Sequence, residues 1–197
     1  MRPSARAFLT VLPASALLFA ACSSSTAPET RVSQVTDAAN DFIPSYDGPK
    51  GADLDVRTME VTYVAGGTFV LDATLNGAPG TTPGGVYVLG INRGAGTARF
   101  GAIATGVSFD FVVIVRPGGT SSTRDLLTGT ATDLPAAGVT ISGNTIQVRV
   151  PASLVPSTGV APSAYTVNLW PRNGLTGTNQ IADFAPDNSN APVRVTN

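Results

Sequence analysis

The chain has 197 residues, a formal net charge of −1, and only 13% charged residues. This balance excludes the basic surface that nucleic-acid binding needs, so no nucleic-acid partner is expected. The sequence contains no histidine, which excludes Ser-His-Asp and Cys-His catalysis and removes the commonest zinc ligand. The many glycines and prolines, 21 and 15, are typical of a turn-rich β protein.

The first 21 residues have the layout of a secretory signal peptide. Arg2 and Arg6 form a positive start, residues 7–19 are mainly apolar, and two small residues follow. The apolar run is shorter than the ~20 residues that a transmembrane helix needs. The pattern therefore predicts that residues 1–21 are a leader and that the protein is exported.

Cys22 follows the leader directly and is the chain's single cysteine. Ala20-Ala21-Cys22 resembles the lipobox of bacterial lipoproteins, in which the cysteine thiol is acylated and the leader is cut just before it. The resemblance implies that Cys22 carries the lipid, palmitate included, that anchors the protein to the membrane. It also implies, from Ser23, a place at the outer membrane or cell surface. The alternative is a plain secreted protein in which Cys22 is incidental.

Residues 22–34 form the lipidated cysteine and a flexible tether in this interpretation. They are rich in serine, threonine, alanine and proline, without apolar periodicity. Fully extended, such a tether reaches about 40 Å at most. Residues 35–197 show neither an internal repeat nor a second linker, so they are predicted to form one domain.

Apolar and polar residues alternate with a period of two through most of the domain, which predicts strands. The phase slips once between 53 and 64, which indicates a bulge. Ser142-Gly143-Asn144 predicts a hairpin turn, and PASLVP (151–156) one helical turn. The predicted strand regions are 53–64, 68–75, 86–91, 98–104, 107–115, 139–150 (the hairpin) and 165–170.

No stretch shows the i, i+3, i+4, i+7 apolar pattern of a long helix. Seven or more strands without a substantial helix indicate a sandwich or a barrel. A barrel sequence alternates more evenly than this one. The predicted fold is therefore all-β, a single antiparallel β-sandwich of the immunoglobulin or jelly-roll kind.

Two oxygen-rich groups lie near opposite ends of the predicted domain. Calcium takes six to eight oxygen ligands, which such groups supply. Asp53 and Asp55 are two residues apart, so on a strand they are expected to share a face. The alternative is that these residues form Asx turns or keep strand edges soluble. The candidate calcium ligands are Asp37, Asp41, Asp53, Asp55, Asp187 and Asn188, within groups that also hold Asn40, Asp47, Asp183 and Asn190.

Trp170 is the candidate ligand-binding aromatic. It alternates away from Tyr165, Val167 and Leu169, so it is expected to face outward, where a ring can stack on a sugar. Arg172 follows on a loop and offers hydrogen-bond donors. Tyr165, Trp170 and Arg172 are thus the candidate ligand contacts. The alternative places Trp170 under a loop that closes one end of the sandwich.

Four stretches together resemble the DOMON and family 9 carbohydrate-binding-module-like β-sandwiches. The resemblance implies a ligand-binding sandwich for sugar or haem, sometimes with structural calcium. Haem versions hold iron through methionine and histidine, and this chain has no histidine. The stretches are DAANDF (37–42), GADLDVRTMEVTYV (51–64), GNTIQVRVPASLVP (143–156) and IADFAPDNSNAPV (181–193).

The functional hypothesis is a non-enzymatic, lipid-anchored β-sandwich at the cell surface that binds an extracellular ligand such as carbohydrate. The membrane is its partner through Cys22, and calcium is its candidate ion. The second hypothesis is a structural or protein-interaction lipoprotein without a small-molecule site. The third is an enzyme that works through the clustered aspartates.

Overall fold

A computed structural model describes residues 33–196, and in this range the chain is all-β. The predicted leader (1–21), Cys22 and most of the predicted tether lie outside the described residues. No helix of the described part is long and apolar enough to cross a membrane. The 3-10 helices are single turns at Ala52–Leu54, Gly101–Ile103, Ala136–Gly138, Ala152–Leu154, Pro162–Ala164 and Thr178–Gln180.

The strands are short and joined by turns. They are β1 (Val35–Thr36), β2 (Val56–Val64), β3 (Thr68–Leu75), β4 (Val86–Asn92), β5 (Thr97–Ala98), β6 (Ser108–Phe109), β7 (Phe111–Val115), β8 (Ser122–Asp125), β9 (Ala131–Asp133), β10 (Val139–Ser142), β11 (Thr145–Pro151), β12 (Thr166–Arg172), β13 (Ala191–Pro192) and β14 (Arg194–Thr196).

Two six-stranded sheets pack face to face. The first, sheet A, has the order β1-β2-β3-β11-β10, and β14 adds to β2 in parallel. The second, sheet B, has the order β13-β12-β4-β7-β8-β9, and β5 and β6 form a separate ribbon. Every pair other than β14 with β2 is antiparallel. The predicted antiparallel β-sandwich is confirmed.

The main core lies between the two sheets. Alternate residues from each sheet point into it, for example Leu71 and Val148 from sheet A and Leu89, Val113 and Leu169 from sheet B. All five side chains are almost completely buried. Burial of side chains of this size contributes about 1.5–3 kcal/mol each, so this layer is a main source of the fold's stability.

Several local predictions are confirmed. The register between β2 and β3 shifts between Val56 and Thr58, which is the predicted bulge. The hairpin joins β10 to β11 through Gly143, whose positive φ of 57° suits a residue without Cβ. The turn predicted in PASLVP is the 3-10 helix Ala152–Leu154.

The prediction of one continuous strand over 107–115 is wrong. The chain breaks at Asp110, whose backbone amide donates to the carbonyl of Ile91 (3.1 Å) and whose carboxylate binds Arg93. After the break Phe111 points into the main core, whereas Phe109 packs into a second cluster on the other side of sheet B. The buried members of this second cluster are Val88, Ala104, Val107, Phe109, Val112, Trp170, Ile181 and Phe184. The strand predicted over 98–104 is likewise replaced by β5 and a 3-10 turn.

The domain begins slightly before its predicted start at residue 35. Ser33 is already buried, and its hydroxyl donates to Glu60 Oε1 on β2 (2.7 Å). The last residues of the predicted tether, 33 and 34, therefore belong to the folded part of the chain.

Candidate metal centre

Four aspartates from opposite ends of the domain meet at one place. They are Asp37, Asp41, Asp183 and Asp187, and one carboxylate oxygen from each lies within 4.8 Å of those of the others. Asp37 and Asp41 precede β2, and Asp183 and Asp187 follow β12. The two oxygen-rich groups of the sequence are thus neighbours in the fold, and we call these four residues the four-aspartate centre.

A tight turn brings Asp37 and Asp41 to the centre. Asn40, between them, has a positive φ of 62°, a conformation that asparagine tolerates better than most residues. Its backbone amide donates to Asp55 Oδ2 (2.8 Å). The amide of Asp37 donates to the carbonyl of Arg57 on β2 (3.0 Å), which fixes the start of the turn.

Asp183 is held by backbone donors. Its Oδ2 accepts from the amide of Val56 (2.8 Å) and its Oδ1 from the amide of Phe184 (2.7 Å). The side chain is 1% exposed. Because both bonds are made inside the protein, the position of this carboxylate is set by β2 and by its own loop.

Asp187 is exposed and belongs to a loop that two asparagines fix. The buried Asn168 donates from Nδ2 to the carbonyls of Pro186 (2.6 Å) and Ser189 (2.8 Å). Asn188 Oδ1 accepts from the amide of Gly106 (3.0 Å). These bonds place Asp187 beside the other three aspartates.

The centre is short of positive charge and of hydrogen-bond donors. Asp37 is 8% exposed, yet its Oδ2 has no donor, and Oδ1 of Asp41 is likewise buried without one. Burial, followed by the charges of Asp41 and Asp187, raises the pKa of Asp37 to about 7. Burial and the charges of Asp37 and Asp41 raise the pKa of Asp183 to about 8. A bound cation would reverse this charge repulsion.

Arg57 is the nearby side chain of opposite charge. Burial raises the pKa of Asp41, and the positive charge of Arg57 acts in the opposite direction. Arg57 Nη1 is itself buried without a hydrogen-bond acceptor. The charge of Arg57 does not prevent the net rise in the pKa of Asp41, so ionisation of the clustered carboxyls stays unfavourable until a cation binds.

The donor set fits calcium. The centre offers carboxylate oxygens, which hard cations prefer as ligands. The chain has no histidine that would favour zinc. Four carboxylates, some of them bidentate, supply four to eight of the oxygens that calcium takes. Asp41 and Asp187 reach solvent, so water can complete the coordination.

Three of the predicted calcium ligands lie outside the centre. Asp53 lies in a 3-10 turn and not on a strand, so it does not share a face with Asp55, and that expectation is wrong. Its Oδ2 accepts from Thr82 N (2.9 Å) and Tyr87 OH (3.2 Å). Burial acts to raise its pKa, but the bonds from Thr82 and Tyr87 outweigh burial and lower it.

Asp55 and Asn188 support the centre from outside. Asp55 Oδ2 accepts from Asn40 N and from Asn76 Nδ2 (3.0 Å), which stabilises the turn between Asp37 and Asp41. Asn188 turns towards Gly106 and Thr105. Asp183, which the sequence placed in an oxygen-rich group but not among the candidate ligands, takes their place in the centre.

The expectation that Trp170 faces outward to solvent is wrong. The residue does point away from the main core, but that face of sheet B is covered, and Trp170 is 2% exposed. Its ring centroid lies 4.8 Å from that of Phe109 and 5.1 Å from that of Phe100. A Cβ on Gly90 would come within 2.4 Å of the indole. The ring therefore offers no free face to a sugar.

Tyr165 and Arg172 do not form a surface site with Trp170. Tyr165 is 1% exposed and stacks on Phe69 in the main core. Arg172 is half-buried, and its guanidinium donates to the carbonyls of Gly174 and Gly177. All three side chains hold the fold together in this structure.

A shallow polar concavity lies on the outer face of sheet A. Its volume is about 370 Å³, and its lining includes Thr58, Glu60, Asp72 and Gln147. No aromatic side chain lines it, so it lacks the stacking surface that sugar recognition commonly uses.

No model of a known protein family matches the sequence. A search of curated proteins finds no match either.

Proposed function

We propose that this protein is an exported, lipid-anchored, non-catalytic β-sandwich that binds Ca²⁺ at the four-aspartate centre. One observation supports the calcium site above the others: Asp37 Oδ2 is buried without a donor, among three further carboxylates. A buried carboxylate without a partner is costly, and a bound cation removes that cost. The ion links both ends of the domain.

The burial of Trp170 and Tyr165 favours a structural or protein-interaction role over carbohydrate binding at those residues. The exported, anchored state rests on the leader and on Cys22 in the sequence. Radiolabelled palmitate should enter the wild-type chain in a bacterial host and not a Cys22→Ser variant. Equal labelling of both chains would contradict the anchor.

Thermal unfolding of the full chain in detergent, with EGTA or with millimolar calcium, tests the metal site. Free calcium at 100 times the dissociation constant stabilises the fold by about 2.7 kcal/mol. For a domain of this size the midpoint should rise by several degrees. Magnesium should have less effect because it demands strict octahedral geometry and gives up its water reluctantly.

Asp187→Asn should remove most of this response. Asp187 is exposed, so the substitution leaves the core intact. The matched control is Asp133→Asn, which changes an exposed aspartate on β9, outside the centre. Equal midpoints for the wild type in EGTA and in calcium would contradict the proposed function.

A further inference from the structure

Two of the four aspartates belong to the N-terminal segment, residues 33–43, which precedes the first long strand. The side chains of this segment that are buried are Ser33, 3% exposed, and Asp37, 8% exposed, and both are polar. Val35, Phe42 and Ile43 are only partly buried. These three apolar side chains pack against the main core, so the segment is held by polar contacts together with partial apolar burial.

The backbone contacts of the N-terminal segment are also few. β1 pairs with β2 over two residues, Val35 with Met59 and Thr36 with Thr58. Farther along, the amide of Asp37 donates to the carbonyl of Arg57 (3.0 Å) and the amide of Ile43 donates to the carbonyl of Ala182 (2.9 Å). A ladder this short opens at low free-energy cost unless something else holds it.

The segment docks its two carboxylates against two others. Asp37 and Asp41 approach Asp183 and Asp187, which belong to the rest of the domain. Without a cation the repulsion between the ionised carboxylates opposes docking, and the positive charge of Arg57 beside Asp41 offsets it only in part. With a divalent cation between them, the same carboxylates attract the segment to the domain.

We propose that the cation at the four-aspartate centre is a latch for the N-terminal segment. Calcium holds the segment on the edge of β2 and against Ala182, and removal of calcium releases it while both sheets stay folded. The proposal rests on the proposed function, because it requires that the centre binds calcium.

Release would change two properties of the domain. The backbone of β2 at Thr58 and Met59 would lose its partner strand and become an open sheet edge. The chain that precedes the domain would also lengthen by the released segment, roughly 36–40 Å at full extension. External calcium would thereby set how far the domain extends from its predicted membrane anchor.

Hydrogen–deuterium exchange of the full chain, read by mass spectrometry in EGTA and in calcium, tests the latch. Peptides that cover residues 33–43 should exchange at least roughly tenfold faster in EGTA. Peptides that cover β4, in the centre of sheet B, should exchange at the same rate in both. Titration calorimetry with calcium on the same sample reports whether the ion binds.

The outcomes separate the latch from the metal site. Calcium binding with unchanged exchange of residues 33–43 would overturn the latch and leave the proposed function standing. Equal slowing of residues 33–43 and β4 would also overturn it, because the ion would then stabilise the whole domain. Absence of calcium binding would overturn both proposals.

An Asp41→Asn variant removes one ligand from the segment alone. In calcium its N-terminal segment should exchange as fast as that of the wild type in EGTA, while β4 is unchanged. Asp133→Asn, with the same chemical change on β9, should behave as the wild type. Full protection of the segment in calcium-treated Asp41→Asn would overturn the latch.

Discussion

The backbone amide of Val56 donates a 2.8 Å hydrogen bond to Oδ2 of Asp183, across 127 positions of sequence. This contact ties the loop after β12 to the first residue of β2. The same carboxylate faces Asp37 and Asp41, which lead into β2 from the other side. Folding therefore creates the four-aspartate centre, and the stability of the domain is coupled to the charge there.

Replacing Asp37 by asparagine should have opposite effects without and with calcium. In EGTA near neutral pH the variant should be more stable than the wild type, on the order of 1–3 kcal/mol, because it removes a carboxyl whose ionisation among three others is unfavourable, as its pKa of about 7 indicates. In calcium it should be less stable, because a ligand is lost. Urea denaturation under both conditions measures the two differences.

Asp133→Asn is the control for Asp37→Asn, since it removes an exposed charge that is not part of the centre. It should change stability little under either condition. If Asp37→Asn is destabilising in EGTA, then the charge of Asp37 is compensated in the folded protein and the premise of the metal site fails.

Without metal, the stability of the domain should fall as the pH rises. The pKa of Asp37 is raised from 3.8 to about 7 and that of Asp183 to about 8 by burial and by neighbouring carboxylates. The folded protein therefore binds more protons than the unfolded chain between these values, so the free energy of unfolding decreases through that window. Asp53 and Asp125, whose pKa values are lowered, act only at more acidic pH.

Thermal unfolding midpoints measured in EGTA between about pH 5 and about pH 8 give the slope of stability against pH. In saturating calcium the slope should be flatter, because the ion binds the ionised carboxylates and is favoured as the pH rises. The Asp37→Asn variant should also give a flatter slope in EGTA. A midpoint that rises with pH in EGTA would contradict the raised pKa values.

The strands were predictable because each sheet has one face in the main core, so burial imposes a period of two. The same rule assigned Trp170 to the correct face of β12. It could not reveal that a second cluster, with Phe100, Phe109 and Phe184, covers that face. The alternation of apolar and polar residues indicates to which face of the sheet a side chain points. Whether other residues cover that face depends on loops, whose sequences show no such periodic pattern.

The candidate site was predictable only in part. Aspartate-rich stretches near both ends indicated an oxygen-ligated cation, and three of the named ligands do meet. Asp53 and Asp55 were predicted to share one face of a strand, because their spacing alone cannot distinguish a strand from the 3-10 turn at Ala52–Leu54. Asp183 stands in an apolar stretch, and only the tertiary contact with Val56 explains its burial.

Trp170 is the chain's single tryptophan, so the intrinsic fluorescence of the protein reports on the second cluster. Because it is 2% exposed, its emission should resist acrylamide quenching in the folded protein and become quenchable in urea. Trp170→Ala should destabilise the fold by about 3–5 kcal/mol. Leu127→Ala, at a 52% exposed position, should change stability little. Ready quenching of the folded protein would contradict the buried indole.

A buried ion network joins Arg93 to Asp110 and Asp125. Arg93 Nε lies 2.7 Å from Asp110 Oδ1 and Arg93 Nη1 lies 3.0 Å from Asp125 Oδ2, with the arginine 1% exposed. Burial alone would lower the pKa of Arg93, but the bonds to Asp125 and Asp110 outweigh burial and raise it. Arg93→Met keeps much of the side-chain volume and leaves the buried Asp110 without its charged partner, with only the amides of residue 93 and Ala95 still donating to its Oδ2.

Arg93→Met should therefore cost about 3–5 kcal/mol in urea denaturation, as expected when one partner of a buried pair is removed. The control is Arg124→Met on β8, where the arginine is exposed and should contribute little. The double variant Arg93→Met with Asp110→Asn should recover part of the loss, because it no longer buries a full charge at residue 110. Equal stability of Arg93→Met and the double variant would show that the loss comes from packing around Arg93 and not from the unpaired carboxylate.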